Sequence, residues 1–376
     1  MNIKWLLLFV FNIVICCNAN AQQNISVCYN DSIRISFTDT STTNKYLWQT
    51  KNSGSQTWNT VKNWSLDTFV DLTNLVSYLD VRYLRDTNDN QIAEDTILIA
   101  NVTVYSQISA GVINGIQTIC YNTAPTQFAF TTNPSGAGIS YSYQWFESNN
   151  GTSFTAISNA TNNTYLSGNL IATKYYKVVV TSQICGTTDT SNIVTVTVRD
   201  EFIAGQIAGM DTICYNTIPN QLTMISNCTG GNVPYLYQWQ QSFDNINFSN
   251  IGSATNTTYQ PTTLTQTTYY RLQFTSGSGC GVVYSNIIRD TVYPNIQAAT
   301  ITTTTINPVC YNTIPTAISI QTPASGGNSI FNNQWQAPIS GVWTDITGET
   351  SNSYQSGQLI ATTQYRLKST SNYGCG

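Results

Sequence analysis

The tripeptide Cys-Tyr-Asn occurs four times in this chain, and its spacing constrains the fold more than any other feature. The copies lie at residues 28–30, 120–122, 214–216 and 310–312, so successive copies are 92, 94 and 96 residues apart. A motif that returns at a nearly constant interval indicates one structural unit copied along the chain. This period divides the 376 residues into four small domains, each long enough to build one hydrophobic core.

Further landmarks return with the same period in the last three copies. A tryptophan lies 25 residues after each repeat cysteine, a tyrosine follows a Leu-x-x-Thr segment, and a second cysteine is followed by glycine. These landmarks are Trp145, Trp239 and Trp335; Tyr176, Tyr270 and Tyr365; and Cys185, Cys280 and Cys375. Because their order is shared, the copies are expected to share one fold.

The segments between the landmarks alternate apolar and polar residues with a period of two. In 176–180 and 270–274 the apolar side chains fall on one face, which is the pattern of a half-buried antiparallel strand. Short strands about every ten residues, separated by Asn, Gly and Ser turns, are typical of a β-sandwich. The sequence therefore predicts an all-β protein, a tandem array of four Ig-like antiparallel β-sandwich modules with a tryptophan in each core.

The predicted modules are residues 23–106, 107–199, 200–294 and 295–376. Module one is divergent, since a turn rich in Asp and Asn at 86–91 replaces its second cysteine. Module four stops at Gly376, where modules two and three continue into another strand. We expect module four to lack its final strand, which would leave an open sheet edge, and the chain to be the N-terminal piece of a longer repeat protein.

Residues 1–21 have the features of a signal peptide. Lys4 precedes an apolar run, and Ala-Asn-Ala at 19–21 has the form of a cleavage site. Cys16 and Cys17 leave lipoprotein processing open as an alternative. The apolar run ends at Asn18 and is shorter than the ~20 residues that span a bilayer, so no membrane span is expected in the mature chain. The prediction is an exported protein, extracellular or at the outer cell surface.

An exported chain with cysteines at repeating positions implies disulfides. The repeat suggests that the two cysteines of each module pair, which gives Cys120–Cys185, Cys214–Cys280 and Cys310–Cys375. Each bond would close a loop of about 65 residues, worth ~4 kcal/mol in the chain-entropy model. Cys28 and Cys228 are left as unpaired thiols, either free or in intermolecular bonds. With no histidine and no Cys-x-x-Cys, the cysteines do not have the pattern of a zinc site.

The composition argues against catalysis and against nucleic-acid binding. Charged residues make up only 9% of the chain, the net charge is −4, and no basic cluster could neutralise phosphates. Zero histidines remove the commonest general base, and the carboxylates do not recur from copy to copy. We therefore predict no enzyme activity, no cofactor, no metal site and no nucleic-acid partner.

The shared motifs resemble a known family. Cys-Tyr-Asn-Thr-x-Pro, Tyr-Gln-Trp-Gln, Phe-x-x-Ile, Leu-x-x-Thr-x-x-Tyr-x-Leu and Cys-Gly are similar to the Ig-like repeats of large surface proteins from Bacteroidetes-type bacteria, described as gliding-motility-associated or adhesin-like. The resemblance implies type 9 secretion and display at the outer surface. In antibody domains the first cysteine lies about a dozen residues before the tryptophan. Here the interval is 25 and holds an additional strand at 128–132, 222–226 or 318–321, which predicts a bridge at the module margin.

These observations favour a structural and adhesive role. The primary hypothesis is a non-catalytic adhesin or spacer stalk with an unknown protein or glycan ligand at the cell surface. The alternative is a glycan-binding accessory array of a larger secreted protein, for which Trp64 is the candidate ligand platform because it has no counterpart in the other modules. Trp58, by contrast, aligns with Phe154, Phe248 and Trp343, which favours a shared packing role.

Overall fold

The computed structural model describes residues 14–17, 22–305 and 308–375. The chain divides into two compact units, Met1–Val198 and Arg199–Gly376, and each unit holds two modules. Strand β1 (Val14–Cys17) lies inside the predicted signal peptide, and its backbone pairs in parallel with residues 34–37. The rest of the predicted signal peptide lies outside the described residues, so that prediction stands untested.

Module one is built from two sheets. Its further strands are β2 (Gln23–Val27), β3 (Asp31–Phe37), β4 (Lys45–Asn52), β5 (Asn59–Ser65), β6 (Phe69–Leu75), β7 (Leu79–Asp86) and β8 (Asp95–Val104). One sheet has the order β1-β3-β6, and the other has the order β2-β8-β7-β4-β5. Strand β2 runs parallel to the last strand β8, whereas the remaining pairs of its sheet are antiparallel.

Module two repeats this plan, and most of its strands outside the central pair of the larger sheet are shorter. They are β9 (Val112–Ile113), β10 (Gln117–Ile119), β11 (Phe130–Thr132), β12 (Tyr141–Ser148), β13 (Thr155–Ala156), β14 (Lys174–Ser182), β15 (Thr188–Thr190) and β16 (Val194–Val198). The large sheet has the order β10-β16-β14-β12-β13, with β15 also on β14, and β11 pairs with β9 in the second sheet.

Module three has the same topology. Its elements are β17 (Gln206–Ala208), β18 (Thr212–Cys214), β19 (Leu222–Ser226), β20 (Tyr235–Ser242), β21 (Ser249–Asn250), β22 (Thr258–Tyr259), β23 (Thr268–Ser276), a short 3-10 turn (Gly277–Gly279), β24 (Val282–Tyr284) and β25 (Ile288–Tyr293). The sheets have the orders β17-β19-β22 and β18-β25-β23-β20-β21, with β24 also on β23.

Module four keeps the inner strands of both sheets. Its described strands are β26 (Thr300–Thr302), β27 (Ile318–Thr322), β28 (Phe331–Ile339), β29 (Val342–Asp345), β30 (Ser353–Tyr354) and β31 (Arg366–Ser371). They form the sheets β26-β27-β30 and β29-β28-β31.

The predicted class, tandem Ig-like antiparallel sandwiches, is confirmed. In modules two and three the opening segment is divided between the sheets: β9 and β17 pair with β11 and β19, whereas β10 and β18 run parallel to β16 and β25. The additional strand expected between the first cysteine and the tryptophan is present in the second sheet, as β11, β19 and β27.

A tryptophan occupies the centre of every module, as its alternation with polar neighbours predicts. Trp48, Trp145, Trp239 and Trp335 are all fully buried. Each indole N–H donates to a backbone carbonyl 16 to 19 residues later, for example from Trp145 to Asn162 at 2.9 Å and from Trp239 to Asn256 at 2.9 Å. The bond satisfies the polar atom that burial would otherwise leave without a partner, so the ring can fill the core at little cost.

The aromatic residue that follows each tryptophan strand lies outside this core and is covered by a cation. Arg82 lies 4.0 Å above the Trp58 ring centroid, and Arg271 lies 4.2 Å above that of Phe248. Lys177 covers Phe154 and Arg366 covers Trp343 in the same way, at 4.4 and 4.5 Å. The shared packing role predicted for Trp58 is therefore confirmed.

Candidate functional site

Each Cys-Tyr-Asn copy forms a tight turn that fixes the repeat cysteine in space. The asparagine has a positive φ in all four copies, with values of 66°, 56°, 60° and 66° for Asn30, Asn122, Asn216 and Asn312. Asparagine tolerates this left-handed conformation better than most residues. Its N–H donates to a leucine carbonyl across the module, as from Asn216 to Leu264 at 2.7 Å. In the last three copies the following threonine hydroxyl also donates to the cysteine carbonyl, at 2.6 to 2.7 Å.

Strand directions place the two cysteines of one module at opposite ends. Cys214 ends β18, which runs parallel to β25, so this cysteine lies at the end of the module where the chain leaves it, called here the distal end. Cys280 follows β23, which is antiparallel to β25, and therefore lies at the other, proximal end. The nine residues of β23 span roughly 30 Å between those ends. A disulfide allows at most about 7 Å between Cα atoms, so the two cannot pair.

The disulfides instead join neighbouring modules. Cys28 at the distal end of module one bonds to Cys185 at the proximal end of module two, with a Cα–Cα distance of 5.6 Å. Cys214 of module three bonds to Cys375 of module four, at 5.4 Å. These bonds span 157 and 161 residues of sequence, so each closes a far longer loop than a bond within one module would.

The cysteine pairing predicted from the sequence is therefore wrong. Cys120–Cys185, Cys214–Cys280 and Cys310–Cys375 are replaced, because each predicted pair lies at the two ends of one module. Cys28, predicted unpaired, is bonded, while Cys310, predicted paired, has a free and exposed thiol. Cys120 and Cys280 are also disulfide-bonded. Cys228 is free, as predicted, and burial raises the pKa of its thiol.

Backbone hydrogen bonds hold the linkers against the module that follows them. A loop N–H of modules two, three and four donates to a linker carbonyl, from Ala137 to Ser106 (2.7 Å), from Gly231 to Asp200 (2.9 Å) and from Gly327 to Pro294 (2.8 Å). A pair of backbone hydrogen bonds lies beside each, such as that between Ser109 and Ser135. Each linker is thus ordered and attached to the module that follows it.

One glycine in each of these loops makes room for the linker. The glycines are Gly136, Gly230 and Gly326, with φ of 78°, 73° and 85°. A Cβ atom at these positions would lie 1.9 to 2.1 Å from the carbonyl oxygens of Gln107, Glu201 and Asn295, respectively. Both the positive φ and the close approach exclude any larger residue without a shift of the backbone. The repeated glycine therefore belongs to the contact between each linker and the module that follows it.

Tyrosines complete the junction between modules three and four. The ring of Tyr373 packs edge-on against Tyr293 with centroids 4.8 Å apart, and its hydroxyl donates to the carbonyl of Thr212 at 2.7 Å. Tyr215 of the repeat motif lines a cleft of ≈ 370 Å³ beside the Cys214–Cys375 bond. The junction thus combines a covalent bond with polar and aromatic contacts.

The two junction clefts are lined by uncharged side chains. A cleft of ≈ 220 Å³ beside Cys28 and Cys185 is lined by Tyr29, Ser106, Thr187 and neighbouring residues. Neither junction cleft has a lysine, arginine or carboxylate among its lining residues. The chemical role of each arrangement is to link two folded modules through a disulfide bond.

Module three also has a buried carboxyl close to its distal end. Oδ1 of Asp290 accepts a hydrogen bond from the backbone N–H of Asp211 at 2.9 Å, while Oδ2 has no partner among the described residues. Burial raises the pKa of Asp290 to about 6, and the nearby Asp211 carboxylate adds to the rise. The protonated, neutral form of this carboxyl is therefore favoured in the folded module.

The glycan candidate Trp64 lies on β5, the edge strand of the larger sheet of module one, and is partly buried. In the part of the chain that the structure describes, no group of three or more His, Cys, Asp or Glu side chains is placed to hold a metal ion. No helix among the described residues is long and apolar enough to cross a membrane.

Sequence reasoning found the cysteines but missed the junction. The signal was present in the strand count. The opening and closing strands of the larger sheet run parallel. A cysteine that follows the opening strand and a cysteine that precedes the closing strand therefore lie at opposite ends of the module. The glycines at 136, 230 and 326 also recur at the repeat period. Their spacing alone does not reveal which backbone approaches them.

The fold and these junctions define a tandem Ig-like repeat protein with disulfides between neighbouring modules. The family model described as a domain of unknown function, DUF8696, matches residues 109–200, 203–294 and 297–376. These three copies cover most of the chain, which therefore belongs to this family. A search of curated proteins finds no significant match.

Several solved structures of Ig-like and related domains align with this chain at low identity. They include Sidekick-1 immunoglobulin domains 1–5, at 11% identity and a TM-score of 0.25, with 94% of this chain and 78% of that chain covered. The three N-terminal domains of the bacteriophage RB49 outer capsid protein Hoc align at 9% identity and a TM-score of 0.35, over 70% and 94%. Extracellular domains 3–5 of Drosophila OTK align at 10% and 0.28, over 72% and 94%. Identities and scores this low carry no functional information.

Proposed function

We propose that this chain is a non-catalytic, exported repeat protein that acts as a spacer or adhesin at the cell surface. A disulfide between two neighbouring modules is called here a staple. The observation that carries the proposal is the pair of disulfides between neighbouring modules, Cys28–Cys185 and Cys214–Cys375. Disulfides persist in oxidising compartments outside the cytoplasm, which supports export. The resemblance to surface repeats of Bacteroidetes-type bacteria and their type 9 secretion supports the same location.

A disulfide between modules serves a mechanical role better than an intramodular one would. A pulling force applied to the chain ends reaches the staple first, because the bond bypasses the residues between its two cysteines. Unfolding of either module then releases little length while the staple holds. Ordered linkers add to this, since each is hydrogen-bonded to the next module.

Single-molecule pulling on this chain tests the proposal. In oxidising buffer the disulfides prevent the segments between Cys28 and Cys185 and between Cys214 and Cys375 from extending. Each segment would be roughly 500 Å long if it were fully extended. Addition of a reductant is expected to release that length in discrete steps at lower force. Equal extension with and without reductant would mean that the chain has no staple, and the spacer proposal would fail.

A further inference from the structure

Two arginines lie on the outer face of the larger sheet of module three, which is turned away from the tryptophan core. Burial alternates along β23, so Tyr269 and Arg271 lie on this outer face. Arg289 of β25 is directly opposite Tyr269 and shares the face. Tyr284 of β24 packs against Arg271 from the other side. The surface formed by Tyr269, Arg271, Tyr284 and Arg289 is called here the arginine face.

The side chain of Arg271 is held in one position. Its guanidinium lies over two aromatic rings, 4.2 Å from the centroid of Phe248 and 3.9 Å from that of Tyr284. Its Nε donates to Oε1 of Gln240 at 2.7 Å, and the Gln240 amide in turn donates to Asn250 at 2.8 Å. Because these contacts fix the side chain, little rotamer entropy is left to lose when a ligand binds. Its two Nη groups donate to no described residue and can receive an anion.

No carboxylate opposes the positive charge of the arginine face. The outward positions of β20, β23 and β25 hold no Asp or Glu, and neither arginine forms an ion pair among the described residues. Module four differs at the matching place: Arg366 bonds to Gln336, which is itself bonded to the Asp345 carboxylate. Although the chain has a net charge of −4, this one surface is cationic.

The arginine face combines this charge with exposed aromatic surface. Tyr284 is 44% exposed beside Arg271, and Tyr269 is half-buried between the two arginines. A carboxylate matches the planar donor fork of a guanidinium, and the C–H face of a sugar ring can pack on an exposed aromatic ring. The two arginines are diagonal neighbours, roughly 7 to 8 Å apart along the sheet, so a ligand with repeated carboxylates can reach both.

We propose that the arginine face of module three binds an acidic polysaccharide through the carboxylates of its uronic acid units. Arg271 is the principal contact, Arg289 receives a second carboxylate, and Tyr284 packs against a sugar ring. Charge complementarity and the adjoining aromatic surface together identify this ligand class. The inference rests on the adhesin part of the proposed function and names the chemistry of its ligand.

Calorimetric titration of this chain with a short galacturonate oligomer tests the inference. The fully methyl-esterified oligomer is the matched ligand, because it keeps the sugar rings but has no carboxylates. We expect the free acid to bind at least about tenfold more tightly, since the ester cannot form charged hydrogen bonds with Arg271. Absence of binding by the free acid would overturn the inference. A glutamate oligomer of equal charge that binds as tightly would overturn it too, because the face would then recognise an acidic peptide.

Substitutions at matched positions locate the site. Arg271→Gln should weaken galacturonate binding at least about tenfold, whereas Arg366→Gln, the matched change in module four, should alter it by less than about twofold. Equal losses would show diffuse charge attraction and overturn the inference. Arg289→Gln changes an exposed side chain and should weaken binding about threefold. If Arg271→Gln does not fold, unchanged affinity in Arg289→Gln overturns the inference instead.

This binding experiment and the pulling experiment fail separately. A chain that releases its length on reduction but binds no galacturonate retains its staples, and only the ligand inference is lost. A chain that binds galacturonate but extends equally with and without reductant has the binding site without the staples.

Discussion

Modules three and four present the same turn at their distal ends, but only one of the two is occupied. Cys214 is bonded to Cys375 and Tyr215 is 40% exposed, whereas Cys310 is free and Tyr311 is 77% exposed. The sequence at both sites reads Cys-Tyr-Asn-Thr-Ile-Pro. Identical residues thus lie in a covalent junction at one end and carry a free, exposed thiol at the other, so the motif alone does not determine whether its cysteine is bonded.

Removal of the staple should produce the largest difference between the two ends. Cys214→Ser opens a loop that spans 161 residues of sequence, for which the chain-entropy model gives about 5 kcal/mol. Cys310→Ser removes an exposed, unbonded thiol and should change the free energy of unfolding by no more than about 0.5 kcal/mol. Urea unfolding of the oxidised variants measures both. If the two serine variants lose the same free energy of unfolding, Cys310 is bonded in the native chain, as it would be if each disulfide lay within one module.

A smaller effect is expected where the loop of module four contacts the linker. Gly326→Ala would bring a Cβ to 2.1 Å from the Asn295 carbonyl oxygen, while Gly341, at nearly the same φ, has nothing within 4 Å. Gly341→Ala should cost about 1 kcal/mol from the left-handed backbone alone. Gly326→Ala should cost roughly 2 kcal/mol more, because the linker must shift. If thermal unfolding shows the same loss for both variants, the linker does not lie where the junction requires it.

Asp290 should give the occupied end of module three a pH dependence. Its folded pKa is raised from 3.8 to about 6, so the folded module keeps the proton that the unfolded chain has released. The contribution of Asp290 to the free energy of unfolding is therefore fully present below pH 4. It is lost as the pH rises through about 6, and the loss is about 2 kcal/mol or less. Asp290→Asn cannot ionise and retains an acceptor for the Asp211 N–H. Urea unfolding between pH 4 and pH 7 should show that the variant loses this decline, and an unchanged slope would remove Asp290 as its cause.

The smallest effect concerns the tyrosine that reaches across the junction. Tyr373→Phe removes the hydrogen bond to the Thr212 carbonyl but keeps the ring against Tyr293, so a loss of about 0.5 to 1 kcal/mol is expected. Tyr311→Phe removes a hydroxyl from an exposed tyrosine at the distal end of module four and should have no measurable effect on chemical unfolding. A stable Tyr373→Phe variant with unchanged unfolding would limit the junction to its covalent bond and linker contacts.

The architecture could be predicted from the sequence because the same fold is encoded several times. Features that recur in every copy can be recognised as structural. Period-two alternation gave the strands, and the recurring tryptophan gave the core, where Trp145 and Trp239 are fully buried. The extra strand between Cys214 and Trp239 was also predictable from the 25-residue interval, and it is present as β19.

The disulfide pairing could not be obtained from the same repetition. A repeat with two cysteines per module is equally consistent with bonds inside modules and with bonds shifted by one module, since both use the same positions. Geometry decides between them: Cys214 and Cys280 lie at opposite ends of a nine-residue strand. Besides the strand count, module one offered a sequence clue, because Cys28 has no second cysteine of its own yet keeps the Cys-Tyr-Asn motif.

Disulfide mapping of the native chain tests the account most directly. Free thiols are blocked before denaturation, the chain is digested without reduction, and the cross-linked peptides are identified by mass spectrometry. The structure predicts Cys28 linked to Cys185, Cys214 linked to Cys375, and a blocked thiol at Cys310. Peptides that link Cys120 to Cys185, Cys214 to Cys280 and Cys310 to Cys375 would contradict this account, because each disulfide would then lie within a single module.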